Sequence, residues 1–472
     1  MTLTAKILAV GILLGTGFIG RQAFAQNDPL IPSASPFGYN VGIDYETDQD
    51  GRTGYSVTAD LNQITQYFQL VRTYHDTADP NATTPTIDPN ELQVIQYAMT
   101  HPNFRLVLGT YNSALVTGTT GSFGPGLMNS STYTDAWAQM LISAFGGSTT
   151  AVTRSVKTIL IGNEPDFPGT FIPAPADPNY STYVGTWIPN ALTNLQASLN
   201  KAGLGSIPIS VVIAFSPISA PAGDTVSTAI PQFISSHWNT AWNGSQPFVL
   251  YNQYSNSTPP NFADISGYLQ GVVASPNVTN EVFLGETGVQ SPGGDSTQEA
   301  AFYQQMFAFL TGELQQSGAT LPAFVFQAFD LPSLNQTYGL FSQNANSQPT
   351  GLKAGISIPT WVGQPAPTSS SLLAAVLPES RSVQIGVPAT AFATIINNSN
   401  PPSTATNCAI APNTTVPASF VYSDDKPRDQ RVDRHAEYAS QHPAGGIPEL
   451  CHRADSERRV HPDQFGVQLW LH

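Results

Sequence analysis

The sequence predicts an eight-stranded β/α barrel, the (β/α)8 TIM-barrel class, and three observations predict it. Short apolar, β-branched runs alternate with longer amphipathic segments between residues 37 and 330, the pattern of strands joined by helical crossovers. Eight such runs occur there, the number that closes a barrel. Their C-terminal ends carry polar side chains, and in this fold working groups collect at those ends. An open doubly wound sheet is the alternative architecture.

Taken in order, the first run (37–45) ends on Asp44 and Tyr45 and leads to a helix over 58–67. The second (68–75) carries Arg72 to its end, before a helix over 89–100. The third (105–111) ends on Tyr111 with Asn112 next, and a helix follows over 133–145. The fourth (158–164) ends on Asn163 and Glu164, the fifth (209–216) on Ser216, with helices over 183–202 and 229–242 behind them. The sixth (248–254) ends on Asn252 and Tyr254, followed by a helix over 262–273. The seventh (281–287) brings Glu286, then a helix over 297–316, and the eighth (323–330) ends on Phe329 and Asp330.

Outside the barrel, expected to span 26–363, the chain changes character. Lys6 precedes an apolar stretch, and Ala23-Phe24-Ala25 before Gln26 fits a small-x-small cleavage site. Residues 1–25 therefore read as a secretory signal, making the mature chain secreted, periplasmic or cell-surface, with no stable membrane span once the signal is cut. The Gly15-Thr16-Gly17-Phe18-Ile19-Gly20 spacing inside it matches a dinucleotide loop but has no βαβ unit around it. Residues 364–371 read as a linker and 372–422 as a β-rich accessory segment too short to close a sandwich. In the tail, 423–472, stand 7 of the 17 basic residues and 5 of the 8 histidines. That shift predicts a charged tail that is disordered or translated from a displaced reading frame.

Composition narrows the function. A net charge of −15 excludes a polyanionic partner such as nucleic acid, and only 10% of the 472 residues are charged, which suits a neutral, hydroxyl-rich partner. Cys408 and Cys451 both lie beyond the barrel, leaving it without a disulfide framework or a Cys-rich zinc site. Before the tail the histidines are His75, His101 and His237, and only His75 falls at a strand end, too few for a metal-dependent hydrolase. No cofactor and a monomer are expected.

The runs ILIGNEPDF and EVFLGETGV share one design: aliphatic residues, a glycine, then Glu164 or Glu286. Two strand-end glutamates three strands apart can face each other across a barrel mouth. Cleaving a glycosidic bond needs such a pair, one to protonate the leaving oxygen and one to attack or activate water. Pro165 is expected to hold Glu164 extended. Tyr254 is either a donor to Glu286 or a core tyrosine, and Arg72 either holds that carboxylate or makes a structural ion pair. Tyr45, Tyr111, Trp238 and Phe329 are sugar-stacking platforms or core packing.

Together, Gly162-Asn163-Glu164, Asn252-Gln253-Tyr254, Gly285-Glu286-Thr287-Gly288 and Phe326-Gln327-Ala328-Phe329-Asp330 with Tyr338-Gly339-Leu340-Phe341 resemble glycoside hydrolase family 17. The resemblance covers roughly 37–361. It implies a retaining β-glycosidase of the clan A barrels, acting on β-1,3-glucan, with Glu164 as general acid/base and Glu286 as nucleophile. Retention implies carboxyl groups about 5 to 5.5 Å apart. Asn163, Asn252, Tyr254, Arg72, Tyr45, Tyr111, Phe329 and Asp330 would then bind substrate. Gly288-Val289-Gln290 replaces the Trp and Pro usual after the nucleophile motif, so an aromatic wall is expected to be missing. Ser255, Gln327 and Leu331 also depart from the pattern, and a matching Lys is absent, which leaves linkage specificity open. The motifs also resemble glucuronidase-like barrels of the same clan. A transglycosylase with the same residues and a non-catalytic glycan-binding protein are the remaining alternatives.

Overall fold

The computed structural model describes residues 35–48, 51–169, 171–215, 218–238, 246–276, 278–317 and 319–366, and four later strands. The leader expected at 1–25 and most of the tail lie outside the described residues. The described residues divide into a barrel unit, 35–366, and a second unit that holds the four later strands.

Eight parallel strands form the barrel: Val41–Asp44, Leu70–Thr73, Arg105–Gly109, Val156–Leu160, a fifth in two pieces (Ile209–Ser210 and Val212–Ile213), Phe248–Asn252, Glu281–Thr287 and Ala323–Val325. The first pairs with the second and the eighth, and the sheet runs from one piece of the fifth strand round to the other. Ile209 stands opposite Ile159 of the fourth strand, and Val212 opposite Leu250 of the sixth, so the ring closes at Val211. The architecture is a (β/α)8 barrel.

Helices lie between the strands where the periodicity placed them. Pro89–Thr100 and Phe262–Val273 start and stop as expected. Local chemistry sets the first: Asp88 accepts from the backbone N–H groups of Asn90 and Glu91, with Pro89 at the first helical position, a cap worth about 1 kcal/mol. Ile188–Lys201 is entered through a π-helical turn, Tyr183–Trp187. One helix, Thr149–Ser155, was not expected; TTAVTRS is rich in weak helix formers, and its start is fixed by Ser148 accepting from Ala151 N–H. Among the described residues no helix is long and apolar enough to cross a membrane.

Strand alternation sorts the core. Leu70, Val107, Leu160, Val212, Leu250, Phe283 and Phe324 form one cluster, closed by Phe37 and Tyr39, while intervening residues such as Val71, Leu106, Ile159 and Val249 pack with the helices. Phe37 meets Phe248, Phe283 and Phe324 edge-on at 5.5, 5.6 and 5.5 Å, sealing the end where the strands begin. Each such ring buried stabilises by about 1.5 to 3 kcal/mol. A Cβ on Gly42 would lie 2.5 Å from the Phe324 ring, so glycine is what lets this layer pack. Trp238 packs against this cluster, 5.3 Å from Phe248. Of its two readings, sugar platform or core packing, this is the second: it stands at the opposite end from the strand termini that carry the polar groups.

Two residues further along the inward columns the side chains become polar: Asp44 after Gly42, Arg72 after Leu70, Asn252 after Leu250. This layer lies directly under the barrel mouth.

In the second unit, Leu372–Leu377, Ala389–Asn397, Phe465–Leu471 and Phe420–Asp424 form a four-stranded antiparallel sheet in that order. Within the tail, the apolar run FGVQLWL at 465–471 is an inner strand of this sheet, between Ala389–Asn397 and Phe420–Asp424.

Candidate active site

The two glutamates reach the mouth by different routes. Glu286 lies within the seventh strand, whose register with its neighbours shifts after Leu284. Glu164 lies four residues beyond the fourth strand, after a turn at Gly162 with φ +71°. Glu164 itself has φ +53°, which corrects the expectation that Pro165 holds it extended. The cause is its backbone N–H, which donates to the Val212 carbonyl on the fifth strand at 3.0 Å and turns the residue over the ring. A non-glycine residue in this region costs about 1 to 2 kcal/mol, a cost the surrounding packing has to offset.

Glu286 is 5% exposed and faces three donors. Tyr74 donates to Oε1 at 2.9 Å and Tyr254 to Oε2 at 2.9 Å, while the Arg72 guanidinium lies 3.0 Å from Oε1. Arg72 also donates to the Gly285 carbonyl at 2.9 Å and, through its other terminal nitrogen, to Asn163 Oδ1 at 2.7 Å. The guanidinium lies over the Tyr74 ring at 4.5 Å and 3.5 Å from the buried carboxyl of Asp44.

Glu164 has a different environment. Its Oε1 accepts from Asn252 Nδ2 at 2.7 Å. Burial and then the charge of Glu286 raise its pKa, against the opposing pull of the Asn252 hydrogen bond and Arg72. Asn163 is clamped at both backbone groups: its N–H donates to Asn112 Oδ1 and its carbonyl accepts from Asn112 Nδ2, each at 2.8 Å.

The structure therefore brings together Arg72, Asn163, Glu164, Asn252, Tyr254 and Glu286. It also adds Tyr74 and Asn112. Tyr74 was legible as the residue two beyond Arg72, hence on the same strand face. Tyr338, half-buried, stands 5.7 Å from the Tyr254 ring and 5.4 Å from Phe326, so an aromatic group flanks the tyrosine that donates to Glu286.

Other expected positions fall elsewhere. Tyr45 is fully buried and donates to Asp60, and Phe329 is 2% exposed with the Arg52 guanidinium 4.2 Å over its ring. Both rings belong to the packing around the Arg52–Asp60 pair, which corrects their reading as open platforms. Asp330 accepts from Lys353 at 2.9 Å and from the Gly339 N–H at 2.7 Å, binding chain to chain where a contact with substrate was expected. Lys353 also reaches Ser291 at 2.7 Å and Glu299 at 3.4 Å, tying the segments after the seventh and eighth strands together. Tyr111 has one face covered by His75, stacked at 4.6 Å.

His75 joins three loops at the rim, with Nδ1 3.0 Å from Glu46 and 2.8 Å from Asp48. Burial works against its charge, yet the Asp48 hydrogen bond and the Glu46, Asp48 and Glu91 charges outweigh it and push the imidazole up to about 9. A folded pKa above the unfolded 6.5 gives stability that is fully present below pH 6.5 and lost as pH rises through about 9. In thermal unfolding, the advantage of wild type over His75→Gln is expected to be largest at pH 6 and absent at pH 10; an advantage independent of pH would contradict the pairing.

On the Glu164 side of the mouth stands a second aromatic feature. Phe167, 53% exposed, stacks on Phe215 at 5.6 Å and 14°. Asp166 fixes the pair by accepting the N–H groups of Ala214 and Phe215 at 2.8 and 2.5 Å, and burial pushes its carboxyl up to about 7.

Gly285 keeps the site open. A Cβ there would lie 2.7 Å from Asn252 Oδ1 and 3.1 Å from both Leu250 and Val212. Gly285→Ala is expected to push Asn252 off Glu164, lowering kcat by about 10-fold or more and stability by about 1 to 3 kcal/mol, measurable by steady-state kinetics and denaturant unfolding.

No protein-family model matches the chain and no curated protein matches it. Solved structures match at low identity. CJP38, a β-1,3-glucanase and allergen of Cryptomeria japonica pollen, is 17% identical, with a TM-score of 0.44, over 68% of this chain and 100% of that one. An endo-laminarinase from Formosa Hel1_33_131 is 14% identical at a TM-score of 0.42, over 66% and 84%. The β-glycosidase BGL167 is 11% identical at 0.43, over 70% and 96%. Likeness at this level carries no argument about chemistry, which rests on the side chains themselves.

Proposed function

We propose that the protein is an exported retaining β-glycosidase acting on a glycan, with β-1,3-glucan the first candidate, Glu164 its general acid/base and Glu286 its nucleophile. One observation carries the reading: two glutamates at one barrel mouth have different surroundings. Glu286 is met by a guanidinium and two phenols, donors suited to a carboxylate, whereas burial and the neighbouring charge favour the protonated form of Glu164.

In the first step Glu286 attacks the anomeric carbon while Glu164 gives its proton to the leaving oxygen; the glycosidic C–O bond breaks and an ester forms. In the second, Glu164, now a carboxylate, takes a proton from water, the water oxygen displaces Glu286, and the anomeric configuration is retained. The charge of the pair is the same before and after each step, so Arg72 keeps a nearby counter-ion throughout. Asn163, held by Arg72 and Asn112, is placed to hydrogen-bond the sugar 2-hydroxyl, and the Phe167 face offers an apolar surface to sugar C–H groups on the side of the acid. A sugar hydroxyl in place of water makes the same site a transglycosylase. The leader-like segment at 1–25 supports export.

The test is product release from laminarin beside a β-1,4-glucan and a glucuronide, using wild type, Glu164→Gln and Glu286→Gln. Consumption of laminarin by the wild type alone is expected. Glycan binding without turnover would overturn the enzymatic reading, and turnover of the glucuronide alone would replace the substrate.

A further inference from the structure

Beneath the two glutamates lies a third carboxyl group that the mechanism does not use. Asp44 is fully buried, and neither of its oxygens has a hydrogen-bond partner of normal geometry. Its one close cation is Arg72, at 3.5 Å, and the same guanidinium nitrogen lies 3.0 Å from Glu286. Arg72 is thus shared unequally, half an ångström nearer the group at the mouth. An ionised carboxylate without hydrogen bonds in a dry interior is among the costliest arrangements a fold can hold, whereas the neutral acid is tolerated.

We propose that Asp44 is a positioning residue that works uncharged, leaving the Arg72 guanidinium to Glu286 and Asn163. Once Asp44 loses its proton it competes for the same nitrogen, loosens the grip on Glu286 and slackens the hold on Asn163, so activity falls on the alkaline side. The groups facing it are Arg72 and Tyr74 from the second strand, Glu286 from the seventh, Tyr254 from the sixth, Tyr303 from the helix Thr297–Ser317, and Glu46 just after its own strand. Burial raises its pKa well above the usual carboxylate range; Arg72 opposes the rise, Glu286 adds to it, and the nearby Tyr74 hydroxyl, whose well-formed bond goes to Glu286, opposes it more weakly. The inference rests on Glu286 being the nucleophile.

The experiment is the pH profile of kcat/KM on laminarin for wild type, Asp44→Asn and Asp44→Ser, with Glu286→Gln alongside. The expected result is activity within about three-fold of wild type at pH 5 for the neutral variants, and an alkaline limb displaced upward by at least half a pH unit. An unmoved limb overturns the proposal. So does a loss of more than ten-fold at every pH, or failure of both variants to fold, since each outcome means that an uncharged side chain does not suffice. Retained activity in Glu286→Gln would instead overturn the nucleophile assignment, so the two failures are told apart.

Discussion

On the proposed mechanism Glu286→Gln is expected to lose at least about 10⁴-fold in turnover, the scale on which removing a covalent nucleophile acts, while glycan binding survives. The geometry explains why no neighbour substitutes. Arg72, Tyr74 and Tyr254 converge on this one side chain, and all three face it as donors. A glutamine presents an amide NH2 to at least one of them, so stability also falls modestly. Glu164→Gln behaves differently, because its proton matters only to a leaving group that needs it. On an aryl glycoside with an acidic phenol the first step recovers, the ester accumulates, and added azide restores turnover with retained configuration. Equal losses on poor and good leaving groups would show that Glu164 is not the acid.

Arg72→Met has the second largest effect and strikes fold and activity together. The guanidinium is 1% exposed and the nearest cation to both Asp44 and Glu286. Without it two buried carboxyl groups face each other, a change that costs about 3 to 5 kcal/mol when one partner of a buried pair is removed. Asn163 loses its anchor as well, and kcat is expected to fall by about 10²- to 10³-fold. Arg72→Lys recovers part of the stability and little of the rate, because one ammonium cannot occupy the two nitrogen positions that bind Glu286 and Asn163. Denaturant unfolding and steady-state kinetics on the two variants separate these contributions.

The barrel was legible because strand alternation and helical spacing are properties of neighbouring residues. The runs ending at Glu164 and Glu286 are local patterns, and so is the pairing of Arg72 with Tyr74. What escaped depends on contacts between distant segments. Tyr45 and Phe329 stand at strand ends like the others, but their rings meet edge-on at 6.3 Å, while Arg52, far from Phe329 in sequence, covers the Phe329 ring and pairs with the Asp60 to which Tyr45 donates. Asp330 is claimed by Lys353 across the hairpin of Phe341–Gln343 and Pro349–Leu352. Trp238 follows a helix returning to the far end of the barrel, a direction that its residue type does not disclose. Glu164 has a positive φ although proline follows it, since the bond to Val212 outweighs the local preference.

The fifth strand meets each neighbour through two residue pairs, fewer than the strands beside it, and Val212 in its second piece holds the backbone of Glu164. That short seam of the ring therefore also holds the backbone of Glu164 in place. An opening confined to that seam is expected to release Glu164 while the rest of the sheet is still paired, so heating is expected to abolish activity before the barrel as a whole unfolds.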